Sequence, residues 1–235
     1  MNSAFYVMLT FLADIQNIPL LFRGSAGDRH KNLINAECFN RFQNTVFSAH
    51  YRNTVNVPAP FIRIIVNKTT CHTVDFTAFD YCIGFDYIDF GDRYFRLPFA
   101  FYFDNNKPWI PEVLTYEKAK EICEAKKYFC NFIYGHQSSH GMREKLFETL
   151  NEYKRVESPG SFLNNVNNSK KRCSWAEKDE YLIASKFTIA GDSIVYPGFV
   201  TEKIVQPFMQ HSVPVYFGNP KIDDYFNKNA FVWCK

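Results

Sequence analysis

The stretch from Lys186 to Pro220, KFTIAGDSIVYPGFVTEKIVQPFMQHSVPVYFGNP, decides the fold. Phe187 to Ala190 is a short apolar run, and Gly191 to Gly198 carries turn residues. Thr201 to Gln210 has a helical pattern, and Val213 to Phe217 reads as a second buried strand closed by Gly218. Strand, loop, helix, strand is a βαβ unit, the building block of a parallel sheet. It sets the loop and the helix N-terminus at the carboxyl edge of that sheet, where open α/β sheets bind nucleotides. Thr201, Glu202 and Lys203 stand there: a helix cap, an acceptor for sugar hydroxyls and a fixed cation for phosphate. Taken alone the triplet is also an ordinary helix start with a first-turn acid. The rest of the chain has to choose between the two.

Upstream lies another strand–loop–helix unit. Tyr128 to Tyr134 (YFCNFIY) reads as a strand and Gly135 to Gly141 as a polar loop. Met142 to Tyr153 reads as an amphipathic helix with Leu146, Phe147 and Leu150 on one face. Arg143 opens that helix with the charge its dipole disfavours, which asks for a functional reason. Before it, Thr115 to Lys127 is a charged helix, and residues 164–180 read as a polar loop. The two units predict a Rossmann-like domain from about residue 115 onward. A separate α/β lobe precedes it, containing the β-branched strand Phe61 to Val66, and the cleft between lobes is the expected ligand site.

The chain has 235 residues, a formal net charge of +3, 25 Phe and 14 Tyr. That balance argues against nucleic acid as a partner, and most of the aromatic rings are needed to fill cores. Seven cysteines are scattered without a Cys-x-x-Cys pair or a ligand spacing, so neither a metal nor a redox motif is indicated. This usage reads as a reducing, cytoplasmic compartment, in which the Asn67 and Asn167 sequons carry no meaning. The first 25 residues have no basic leader and are broken by Asp14, so a buried helix is expected rather than a membrane span. In the aromatic–acidic segment Asp80 to Phe99, Asp86, Asp89 and Asp92 recur every third residue. The interleaved Phe85, Tyr87, Ile88 and Phe90 favour a structural turn, with Arg93 and Arg96 near enough to neutralise the acids. His136 and His140 read as solvated loop residues.

Four blocks in order carry a family resemblance: Asp80–Asp86 (DYCIGFD), Asp92–Pro98 (DRYFRLP), Val200–Ile204 (VTEKI) and Val213–Gly218 (VPVYFG). Together they resemble the bacterial α-1,3/4-fucosyltransferases of glycosyltransferase family ten, over roughly residues 60–235. The resemblance implies an α/β, GT-B-like fold: two Rossmann-like lobes with a cleft between them. Residues 1–112 would form the acceptor-side lobe, divergent or partial, and 113–235 the GDP-fucose-binding lobe. It implies inverting, metal-independent transfer of L-fucose from GDP-fucose, the donor substrate, to a hydroxyl of N-acetylglucosamine or glucose in a glycan. No cofactor is implied. Arg143 and Lys203 match the family's phosphate-binding cations and Glu202 its ribose-binding glutamate. Asp192 and Phe199 fall in the donor loop. Peripheral association with the inner membrane, known for some members, stays open, as does the oligomeric state.

The sequence departs from the family in three places. The family's general base is a glutamate in a Gly-Glu-Asn turn, and here Thr69 or Thr70 holds that position. Neither hydroxyl is a base near neutral pH, and a lost base typically costs about 10²- to 10⁴-fold in rate. His72 and Asp75 are the nearest replacements. The family's Phe-Glu-Asn-Ser becomes Gly191-Asp192-Ser193-Ile194, and Phe199 stands where tyrosine is usual. The chain also stops at Lys235, where the family continues. These departures keep a second reading open: a non-catalytic nucleotide- or glycan-binding descendant without a base.

Overall fold

The computed structural model describes residues 45–48, 62–66, 75–77, 79–101, 114–137, 141–166 and 173–235. The helix expected in the first 25 residues, His72, both sequons and His140 lie outside them. The chain divides into two compact units, Met1–Lys107 and Pro108–Lys235, five residues before the boundary expected at 112.

The N-terminal unit holds a four-stranded, all-parallel sheet: β1 (Thr45–Ser48), β2 (Ile62–Val66), β3 (Tyr81–Gly84) and β4 (Tyr94–Arg96), in that order. Phe79, Cys82 and Tyr94 are buried together in it. Burial pushes the Cys82 thiol up to about 12, with Asp86 adding to the shift, so it stays protonated. The acidic segment is structural, but Arg93 serves it differently from the expected charge neutralisation. Its guanidinium donates to the carbonyls of Phe76, Phe79 and Asp80 at 2.7–2.8 Å and lies 5.3–5.4 Å from the centres of the Phe76 and Phe90 rings, which stack on each other at 4.0 Å. Arg93 thus fastens the backbone of 76–80.

The C-terminal unit is a five-stranded parallel sheet of order β6-β5-β7-β8-β9, from β5 (Tyr128–Asn131), β6 (Val156–Glu157), β7 (Ser185–Gly191), β8 (Val213–Phe217) and β9 (Val232–Trp233). Its helices are α1 (Tyr116–Ala125), α2 (Met142–Tyr153), α3 (Trp175–Ala184) and α4 (Glu202–Met209). The chain runs from β5 outward to β6, then returns across β5 to β7. The order therefore reverses between β5 and β7, the switch point at which doubly wound sheets open a ligand crevice.

Helix α3 falls where a polar loop was expected. Ser174 caps it by accepting from Glu177 N–H, while the Glu177 carboxylate accepts from Ser174 N–H, a complete capping box. The strand expected over 128–134 ends at Asn131, and Phe132 and Tyr134 continue as irregular chain into the core of Cys130, Phe147, Val156 and Ile189. Gly160 is required here by close approach: a Cβ would lie 2.3 Å from the Tyr134 carbonyl oxygen. Lys126 is buried, and its ammonium donates to the carbonyls of Ile183 (2.7 Å) and Gln210 (3.2 Å), a cation at the C-terminal ends of α3 and α4.

Candidate functional site

Within the C-terminal unit a cavity of about 400 Å³ opens at the β5/β7 switch point. Its walls include Asn131 from β5, Tyr134 and His136 from the loop after it, and Arg143 from α2. Lys178 of α3 and Glu202, Lys203 and Gln206 of α4 complete them. Each charged group is held by local chemistry.

Arg143 is the second residue of α2, whose N-cap is Gly141 in a left-handed conformation (φ 66°). The residue is only 2% exposed. Its Nε donates to the Gly191 carbonyl at 3.0 Å, and its charge lies 4.4 Å from the centre of the Tyr134 ring. Tyr134 is in turn locked to β7: its hydroxyl accepts from Gly191 N–H (2.8 Å) and donates to the Ile189 carbonyl (2.9 Å). Burial raises the Tyr134 pKa despite Arg143 beside it, so the hydroxyl keeps its proton. A Cβ at Gly191 would come within 3.1 Å of Arg143 Cγ, so the glycine gives the arginine stem its room.

Glu202 and Lys203 open α4 behind the cap Thr201, whose hydroxyl accepts from Lys203 N–H. Lys203 Nζ lies 3.3 Å from Glu202 Oε1, with the two side chains 23% and 16% exposed. Burial alone would push the Glu202 carboxyl up. Lys203, Lys178 and the backbone outweigh it and hold the carboxyl below its ordinary value, ionised. Lys178, which the sequence reading passed over with the rest of α3, donates to Gln206 Oε1 at 2.5 Å. Burial lowers its pKa, and Glu202 works against that shift.

Asp192 and Phe199, expected as donor-loop contacts, are 1% and 2% exposed and do not line the cavity. Asp192 instead organises the loop. Thr201 Oγ1 donates a short hydrogen bond to one of its oxygens and the Tyr216 hydroxyl donates to the other at 2.8 Å. The same Tyr216 oxygen accepts from Asn219 N–H at 2.8 Å. Burial raises the Asp192 pKa to about 6, against the pull of Lys203 and of its two hydroxyl donors.

Of the two base candidates, His72 lies outside the described residues. Asp75 is exposed in the N-terminal unit, and its Oδ1 accepts from Thr77 N–H (2.9 Å) and Thr77 Oγ1 (2.6 Å). Arg93 fastens the segment just after it. Among the described residues no three His, Cys, Asp or Glu side chains gather at metal-binding distance, and no helix is long and apolar enough to cross a membrane. Cys82, Cys123, Cys130, Cys173 and Cys234 are free thiols.

Comparison with known proteins places this geometry. Residues 123–235 match the C-terminal region of glycosyltransferase family 10 (fucosyltransferase). The alpha-(1,3)-fucosyltransferase FucT of Helicobacter pylori is 28% identical, over 67% of this chain and 38% of its own length. The GDP-fucose protein O-fucosyltransferase 3 of Xenopus laevis is 32% identical over 38% of this chain and 21% of its own. The chain thus spans well under half the length of these curated relatives. A crystal structure of an α1,3-fucosyltransferase with GDP-fucose aligns with a TM-score of 0.60 at 26% identity, covering 82% of this chain and 61% of that one. Another α1,3-fucosyltransferase structure aligns at 0.65 and 24% identity over 93% and 73%, which speaks for the fold, α/β of the GT-B class. All of α2, α3, α4 and the five-stranded sheet fall inside the region, residues 123–235, that is similar to the C-terminal part of glycosyltransferase family 10 (fucosyltransferase).

Proposed function

We propose that this chain transfers L-fucose from GDP-fucose to a hydroxyl of N-acetylglucosamine or glucose in a glycan, by direct displacement with inversion and without a metal. The observation that carries the reading is the wall of the switch-point cavity: Arg143, Lys203 and the ionised Glu202 converge there inside a fucosyltransferase domain. In this reading Arg143 and Lys203 hold the pyrophosphate and Glu202 accepts from the ribose hydroxyls. Residues 108–235 are the donor-binding unit and 1–107 the acceptor-side unit.

The acceptor oxygen attacks C1 of fucose as the bond from C1 to the β-phosphate oxygen breaks. The hydroxyl proton passes to a general base, and the electron pair leaves on GDP. Arg143 and Lys203 meet the negative charge that develops on that leaving group, and both are fixed before the donor arrives. Asp192 and Phe199 act behind the wall, by holding the loop that leads into Thr201. His72 and Asp75 are the base candidates.

Titration calorimetry with GDP, beside a transfer assay with GDP-fucose and an N-acetyllactosamine acceptor, tests the reading. Binding with transfer is expected, with transfer lost in either His72→Ala or Asp75→Asn while GDP binding stays unchanged. Binding without transfer overturns the enzymatic reading in favour of a non-catalytic nucleotide-binding descendant. Absence of GDP binding overturns the donor site itself.

A further inference from the structure

Arg143 has two supports, and both lead back to one residue. The first is direct: its charge lies 4.4 Å from the centre of the Tyr134 ring. The second is the Gly191 carbonyl, which accepts from Arg143 Nε at 3.0 Å. Gly191 is itself fixed from Tyr134, whose hydroxyl accepts from Gly191 N–H at 2.8 Å and donates to the Ile189 carbonyl at 2.9 Å. That hydroxyl also lies 3.1 Å from the Gly191 carbonyl oxygen. Tyr134 therefore bridges the switch point, from the loop after β5 to the end of β7.

The two supports do different things. The ring attracts the cation without taking up any of its N–H donors. The carbonyl takes up one, at Nε, and so sets the direction in which the guanidinium fork points. Among the described residues the two terminal nitrogens of Arg143 make no hydrogen bond, and Arg143 lines the cavity, so both remain for a ligand. Packing alone would be served by phenylalanine, as it is at Phe132 and Phe147 in the same buried cluster. The hydroxyl is what ties β7 to the arginine, and burial keeps it protonated.

We propose that Tyr134 is a positioning residue for the diphosphate contact of Arg143: its ring holds the guanidinium, and its hydroxyl holds the Gly191 carbonyl that orients Nε. The inference rests on the donor-site reading above, in which Arg143 meets the pyrophosphate. It adds to that reading the residue on which the aim of the cation depends, acting through Arg143. The missing side chain of Gly191 belongs to the same device, since a Cβ there would come within 3.1 Å of Arg143 Cγ and 3.8 Å of the Tyr134 hydroxyl.

Titration calorimetry of the full chain with inorganic pyrophosphate and with GDP tests this in a double-mutant cycle. Tyr134→Phe keeps the ring and removes the hold on Gly191, whereas Tyr134→Leu removes both supports. Pyrophosphate affinity should fall about 3- to 10-fold in the phenylalanine variant, the scale of one hydrogen-bond support. It should fall roughly 10- to 30-fold in the leucine variant, which also loses the cation–ring contact. GDP should follow pyrophosphate in each variant. In the Arg143→Met background the same substitutions should change pyrophosphate affinity by less than about twofold, because the group they position is gone. A tyrosine that only packs would move both backgrounds alike, and the phenylalanine variant carries the cycle if the leucine variant fails to fold. Native pyrophosphate affinity in the Tyr134 variants overturns the inference, and so does equal weakening with and without Arg143. An Arg143→Met variant that binds pyrophosphate as the native chain does, or a native chain that binds neither ligand, overturns the donor reading and this inference with it.

Discussion

Asp192→Asn is the sharpest test of how the loop before α4 is held. Asp192 is 1% exposed, and its pKa is raised from 3.8 to about 6 by burial, against the pull of Lys203, Thr201 and Tyr216. A carboxyl whose folded-state value exceeds its unfolded one binds more protons in the native state. Its stabilising contribution is fully present below pH 3.8 and is lost as pH rises through 6. Linkage with these two values makes the native chain roughly 1 kcal/mol less stable at pH 7 than at pH 5 through this group alone. Asparagine keeps the shape and still accepts from Thr201, but it no longer titrates, so that increment should vanish. Its NH₂ faces the Tyr216 hydroxyl, which loses its acceptor at a cost of roughly 1 kcal/mol at either pH. Urea unfolding of both proteins at pH 5 and pH 7 reads the difference of differences, in which that constant cost cancels. The asparagine variant should gain on the native chain by roughly 1 kcal/mol from pH 5 to pH 7. An equal pH dependence in the two proteins would refute the buried, titrating carboxylate.

Two further substitutions probe the site and its support. Arg143→Met should weaken GDP binding roughly 10- to 100-fold in calorimetry, the worth of a buried charge-assisted contact, and Arg143→Lys should recover only part because it cannot keep the Nε bond to Gly191. Gly160→Ala should destabilise the C-terminal unit by roughly 1–3 kcal/mol in thermal unfolding, since the new methyl would sit 2.3 Å from a backbone oxygen. A wild-type melting temperature for that variant would mean the β5–β6 loops pack differently.

The unit around Lys186–Pro220 was legible because its signals are local: a β-branched strand, Gly-rich turns, a Thr cap and a second apolar strand all lie within 35 residues. β7 extends the expected strand at both ends, to Ser185 and Gly191, and α4 is bounded by Thr201 and Gln210 as read. Arg143 stood out for a physical reason, the wrong charge at a helix start, and the structure gives it a carbonyl and a ring as partners. Helix α3 was missed because its polar, lysine-rich approach dominates residues 164–173. The Ser174-Glu177 capping box was the available signal, and with it Lys178 would have come into view. The short strands β6 and β9, two residues each, carry no periodicity to read. Asp192 was placed on the right loop, but a sequence does not say which way a side chain turns. Here two hydroxyls and the missing Cβ of Gly218, which would otherwise lie 2.6 Å from its Oδ2, turn it inward.

The arrangement of charge explains why so few residues suffice. Among the described residues on the cavity wall, three basic side chains, Arg143, Lys178 and Lys203, stand with the carboxylate of Glu202, an excess of basic groups suited to a diphosphate. Two of the three basic groups are held by neutral partners and the third by a loose ion pair. Arg143 has a backbone carbonyl and a ring, Lys178 an amide oxygen, and Lys203 a carboxylate at the loose distance of 3.3 Å. The neutral partners fix geometry without neutralising charge, so an arriving phosphate meets basic groups already in place, although burial works against the charge of Lys178. A tighter Lys203–Glu202 pair would instead have to be broken on binding. The three cations also come from three different helices, α2, α3 and α4, which pack on one sheet. A ligand that engages all three therefore ties these helices together, and GDP should protect α3 and α4 from amide exchange beyond the residues it touches.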